Sequence, residues 1–311
     1  MVSTSRLGRR GLLIAGAGLL AGCSTSSAQK PSSSPAPSPP ATTTPPASTT
    51  APTGSSPSST PSATRSTASP TLPAVRSWRP GAGEIEPEVK RIAIAATVDL
   101  LRRPGTRSVV EVIDAQYGGI LADSASVLVP CRVYTFAGGR LTSGGTTVDV
   151  RLTKTRGSWR VTATHPAQPG AAVSRLSTAA RQVLASDRIT LPPASAADIR
   201  SGQVHDSVLT AMLELAKIYR IGISVIRTGH PLYVFGTNRP SDHPRGRAFD
   251  TWQIDGHPVV APTTSRSLVT SYMRAAAAAG SYNVGGPYQL SGATYFSDNT
   301  HHDHIHAGFQ T

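Results

Sequence analysis

The chain ends on a run of side chains able to bind metal and move protons, His301-His302-Asp303-His304-Ile305-His306. Some fifty residues upstream, Ser241-Asp242-His243-Pro244-Arg245-Gly246-Arg247-Ala248-Phe249-Asp250 adds a further histidine and two carboxylates. Two imidazoles and a carboxylate are what an open catalytic zinc site uses: three protein donors, with one position left for water. Seven of the nine histidines fall between positions 230 and 306. Packing alone does not account for that density.

Spacing says how these groups can meet. His304 and His306, two apart on a strand, project to one face, so one can hold a metal while the other stands beside it. His243 and Asp250 are seven apart, with Pro244 and Gly246 between them. A loop turning into a strand brings such a pair together, and Gly246 permits close backbone approach or positive φ. Asp250 follows the apolar pair Ala248-Phe249 and is expected at the sheet's edge, inside a cleft. A carboxylate there needs a cation or hydrogen-bond donors.

Ser241-x-His243-x-x-Gly246-x-Ala248-x-Asp250, closed by His304-Ile305-His306, resembles the signature of the D-Ala-D-Ala peptidase/hedgehog zinc family, the LAS-type peptidases. Every fixed position of the first motif is filled, and the likeness covers residues 206–309. The resemblance implies Zn2+ held by His243, Asp250 and His306, and hydrolysis of peptidoglycan stem peptides or cross-bridges at bonds involving D-Ala. It also implies a basic residue on a strand upstream of the first ligand. Arg227 takes that place, to bind the scissile carbonyl oxygen as charge develops. Carboxypeptidase members carry a glutamate three residues before the last ligand as general base; here that position is Asp303, one methylene shorter. Other members use the first histidine of the closing pair, here His304. Either can accept a proton from metal-activated water. Ser241 is placed to hydrogen-bond the substrate or the ligand loop.

The remaining histidines read more plainly. His230 precedes Pro231 in a turn that shapes the cleft, and His257 sits in a β-turn sequence, Asp255-Gly256-His257-Pro258. His301 and His302 read as loop residues beside the site.

The elements that must carry these groups form an α+β module over residues 171–311. Helical spacing covers 173–186, 206–220 and 267–279, with Asp206 as N-cap and Gly222 closing the second helix. Strand patterns cover 223–227, 247–252, 259–260 and 304–309. By resemblance this is a hedgehog/D-Ala-D-Ala peptidase-like zinc domain. Residues 77–169 form a smaller α+β module, cystatin-like or cone-like. Its helix over 87–103 is stopped by Pro104-Gly105, and strands follow at 109–113, 127–136, 146–154 and 159–164. Val148, Val150 and Leu152 alternate with polar residues, as a sheet with one solvated face requires. Nothing in this module has ligand spacing, and it is assigned an interaction or spacer role.

The N-terminus places the chain in an envelope. Arg9-Arg10, an apolar run and Leu20-Ala21-Gly22-Cys23 read as a lipoprotein signal peptide over residues 1–23, with Cys23 lipidated. Residues 24–76, rich in Ser, Thr, Pro and Ala, lack the apolar groups to order themselves and read as a disordered tether. The expected location is the outer face of a bacterial cytoplasmic membrane, anchored through the lipid. Cys131, in an apolar stretch, reads as a buried small hydrophobe. The formal charge of +13 favours anionic partners. For an exported chain those are wall polymers, not nucleic acid, for which no motif is present. Two functions follow: a zinc metallopeptidase of D,D-carboxypeptidase or endopeptidase type, or a catalytically weak or inactive zinc-containing cell-wall-binding module of the same fold. The Asp303 departure keeps the second open.

Overall fold

Helix α1 (Pro87–Leu101) opens the first half of the structure, a computed structural model that describes residues 71–311. The expected signal peptide, Cys23 and the expected tether as far as residue 70 lie outside the described residues. Pro87 suits a first helical turn, where its absent N–H has no partner to lose. Val89, Ala93 and Thr97 recur every four residues and are buried on one face. That face lies on an antiparallel sheet of β1 (Arg107–Val112), β2 (Gln116–Ile120), β3 (Ser124–Ala137), β4 (Arg140–Thr155) and β5 (Ser158–Pro166). Strand order is β1-β3-β4-β5. The long β3 also pairs with β2 through the half of its length that β1 leaves free. Val127, Val129, Val148, Val150 and Trp159 form the core between helix and sheet. Cys131 is buried there as a free thiol, and burial pushes its pKa up to about 12.

The second half carries α2 (Thr178–Ala185), α3 (Pro193–Arg200), α4 (Asp206–Ala216) and α5 (Arg266–Ala278). Its strands are β6 (Ile189–Thr190), β7 (Ile221–Ile223), β8 (Ala248–Ile254), β9 (His257–Pro258), β10 (Asn283–Gly285), β11 (Tyr295–Phe296) and β12 (Ile305–Gly308). The sheet runs β11-β10-β12-β8-β7-β6, with β9 paired to β8. The β6–β7 and β10–β11 pairs are parallel and the others antiparallel. The fold class is mixed α+β.

Several boundaries differ from the sequence expectation. The helix expected from 173 begins at Thr178, because Ser177 Oγ accepts the Ala180 N–H at 3.1 Å and starts it there. His205, not Asp206, is the N-cap of α4, and Gly222 lies inside β7 instead of closing that helix. Asp250 is not at an edge: β8 is internal, between β7 and β12. Among the described residues no helix is long and apolar enough to cross a membrane. All of them fall within one compact unit.

Candidate metal centre

Pairing of β12 with β8 sets His306 directly opposite Asp250. His243 arrives from a one-turn 3-10 helix, His243–Arg245, which Gly246 ends with φ of 69°. A Cβ at position 246 would collide with the Gln203 carbonyl oxygen. Glycine therefore meets both demands, left-handed backbone and close approach. The His243 Nδ1–H donates to the Ile226 carbonyl at 2.8 Å, which turns the lone pair on Nε2 toward Asp250 and His306.

Three donor atoms converge as a result. His243 Nε2, Asp250 Oδ1 and His306 Nδ1 lie 3.1 Å from one another. A point just off the plane of a 3.1 Å triangle is about 2 Å from each corner, the reach of imidazole nitrogen and carboxylate oxygen to a first-row metal. All three side chains are buried. His306 Nδ1 can carry one proton at most, yet two acceptors, His243 Nε2 and Asp250 Oδ1, lie 3.1 Å from it. Burial would raise the Asp250 pKa, yet the His243 and His304 rings hold it well below the usual carboxylate range. Burial pushes His306 down to about 4 against the pull of Asp250. Anionic carboxylate and neutral imidazole are the forms that ligate. The residues present fit a metal ion.

His230 belongs to the same cluster. Its ring stacks on His243 at 4.1 Å, and its donor atom, with those of His243 and Asp250, falls within a 4.8 Å group able to hold a metal. Burial and the neighbouring His243 lower its pKa well below 6.5, leaving a neutral ring. The sequence placed His230 only in a cleft-shaping turn. Glu84, His302 and Asp303 make a second such group. The Lys90 ammonium already sits between its two carboxylates.

The two candidate proton carriers stand in different surroundings. His304 donates from Nδ1 to Asp303 Oδ1 at 2.6 Å, while its Nε2 is 3.8 Å from Asp250 Oδ2. The other Asp303 oxygen accepts from Lys90 Nζ at 2.6 Å and from the Tyr117 N–H at 3.0 Å. Both Asp303 oxygens are thus engaged, and His304 is the member of the pair that faces the cavity. Burial would lower the His304 pKa, but Asp250 and Asp303 raise it. Burial would raise Asp303, but Lys90 and His304 hold it below its ordinary value.

The ligands form the floor of a cavity of about 510 Å3. Tyr117 and Leu121 wall it from the first sheet, Phe235 and Arg239 from the loop before the ligand motif, and Phe296 and His301 from the C-terminal segment. Side chain replaced by hydrogen at Gly119 is what lets Phe235 lie against β2, since a Cβ there would strike its ring. Ser241 is buried in the wall; its Oγ accepts the His243 N–H at 3.4 Å and lies 3.4 Å from His230 Nδ1. His301 packs edge-on against Phe296 and donates to Asp298 at 2.7 Å. His302 turns away, accepting the Ile85 N–H at 3.1 Å. His257 is exposed on β9.

Arg227 is not where the sequence expectation put it. Its guanidinium lies 3.8 Å from Asp198 and 3.5 Å from the Pro169 carbonyl, outside the cavity wall. Among the described residues, Arg239 is the only arginine or lysine in that wall. Residues 77–169, for which an interaction or spacer role was expected, also supply side chains to the cluster. Lys90, Gln116 and Tyr117 reach into the centre, and Gln116 Nε2 donates to Asp250 Oδ2 at 2.6 Å. One signal was available for the first of these: a lysine adjoining Val89 and Ala93 on the helical pattern of α1. Gln116 carries none. No protein-family model matches the chain, and no match was found among curated proteins or solved structures.

Proposed function

We propose that this protein is a Zn2+-dependent peptidase that hydrolyses peptide bonds of peptidoglycan stem peptides or cross-bridges, of D,D-carboxypeptidase or endopeptidase type. The observation that carries the reading is the His243, Asp250, His306 triangle at the floor of a cavity, on residues whose spacing resembles the LAS-type signature. The same resemblance underlies a hedgehog-like reading of residues 171–311, while one helix followed by an antiparallel meander underlies a cystatin-like or cone-like reading of 77–169. Zinc, when bound, supplies a Lewis acid and a water of lowered pKa. The chain's own groups do the remaining work. His304 takes and returns a proton through Nε2, and Asp303 fixes the ring and its tautomer through Nδ1. Tyr117, Phe235 and Phe296 give the cavity apolar walls for a substrate to lie against. Arg239 offers a cation for a carbonyl or carboxylate of the substrate, in place of Arg227. The leader and Cys23 would hold the enzyme at the outer face of the cytoplasmic membrane, with the wall as partner and nucleic acid excluded from it.

The test is release of D-Ala or of new amino termini from purified peptidoglycan fragments by the zinc-loaded chain, with His306→Ala as control. Release by the parent alone supports the reading. Stoichiometric zinc with no release supports the second reading, a wall-binding module without turnover. The position of Arg227, turned to Asp198 and away from the cavity, favours that alternative.

A further inference from the structure

We infer that strand β2 of the first module is a working part of the metal centre, with Gln116 as the positioning residue that makes Asp250 a single-oxygen ligand. The inference rests on the metal reading above. Gln116 is fully buried, and both ends of its amide are engaged. Its Nε2–H donates to Asp250 Oδ2 at 2.6 Å, and its Oε1 accepts from the Ser224 hydroxyl. Ser224 is fixed in turn, with its N–H donating to the Asp250 carbonyl at 3.0 Å. The amide therefore has one available orientation. Flipped, it would set its oxygen against a carboxylate oxygen.

The consequence falls on Asp250. Its two oxygens are chemically alike, and a carboxylate beside a metal can offer one or both. Here Oδ2 is held by a charge-assisted hydrogen bond, while Oδ1 alone faces His243 Nε2 and His306 Nδ1. His304 Nε2 stands 3.8 Å from Oδ2, beyond hydrogen-bond distance. One amide from a different sheet thus sets which oxygen of the ligand is left for the metal. Hydrogen-bond partners of ligating groups typically change metal affinity by about 10–100-fold when removed.

The experiment measures Zn2+ affinity of the full chain by competition with a chromophoric chelator, and the visible spectrum of its Co2+-substituted form. Gln116→Leu is expected to weaken zinc binding by about 10–100-fold and to lower the Co2+ band intensity, as the released Asp250 supplies a second oxygen. Gln116→Asn, which keeps the amide but falls short of Asp250, is expected to shift both readouts in the same direction and covers the case in which the leucine variant does not fold. Variants that lose thermal stability but keep zinc affinity within twofold, with an unchanged Co2+ spectrum, would overturn the inference and leave the metal reading intact. A parent chain that takes up no zinc overturns both.

Discussion

Asp303 gives one oxygen to His304 at 2.6 Å and the other to Lys90 at 2.6 Å. At the residue scale this separates the two groups that the sequence left level. Removing the ring in His304→Gln is expected to lower kcat by about 10²–10⁴-fold, the range of general acid–base catalysis, with zinc content unchanged. Asp303→Asn keeps the side-chain shape but weakens the grip on the ring. It is expected to lower kcat less than the glutamine variant does. Steady-state rates on peptidoglycan fragments check the order; a larger effect at Asp303 would return it to the position of base. The cluster of His243, Asp250 and His306 was legible because its members are few, chemically distinctive and fixed in spacing. The partners of those ligands were not, because Gln116 and Lys90 are common residue types that gain meaning only when two sheets meet. Arg227 failed for a related reason: local context put it after a strand, and only the tertiary fold supplies Asp198 as its partner.

At the scale of elements, α1 and the segment entering β2 bring charge into the space beside the site. Glu84, Asp114 and Asp303 surround the single Lys90 ammonium. Burial raises the Asp114 pKa to about 7; Lys90 opposes this, and Asp303 and Glu84 add to it. Its folded value thus lies above its ordinary 3.8. Between about pH 4 and 7 the folded chain holds a proton that the unfolded chain has lost, so this group's contribution to stability falls as pH rises through that window. The span corresponds to on the order of 4 kcal/mol for a fully buried group. Asp114→Asn is expected to remove that slope and to stabilise the protein more at pH 8 than at pH 5, as thermal melts at the two pH values would show. An equal shift at both would mean that Asp114 is ionised throughout. Elements with strong periodicity, such as α1, α5 and β3, were readable within a few residues, while β4 starts six residues before the expected position 146. Strand β2, Gln-Tyr-Gly-Gly-Ile, was not, because two glycines hide a strand whose conformation is imposed by β3 and by Phe235 packing on Gly119.

At the scale of the whole molecule, the core divides into two hydrophobic clusters, one drawn from residues 89–159 and one from residues 180–309. The polar contacts do not respect that division. Lys90 with Asp303, the Tyr117 amide with Asp303, and Gln116 with Asp250 all cross it in buried surroundings. Truncating Lys90 to methionine leaves two buried carboxylates without their cation, a loss of about 3–5 kcal/mol. Because the pair belongs to both halves, calorimetry is expected to show one transition that moves down as a whole. Two separate transitions, with only one shifted, would mean that the halves unfold independently. The most direct measurement of the central claim is anomalous diffraction at the zinc edge from crystals grown with Zn2+. The expected result is one strong peak about 2 Å from His243 Nε2, Asp250 Oδ1 and His306 Nδ1. A peak at Glu84, His302 and Asp303 instead, or none with zinc in excess, would contradict it.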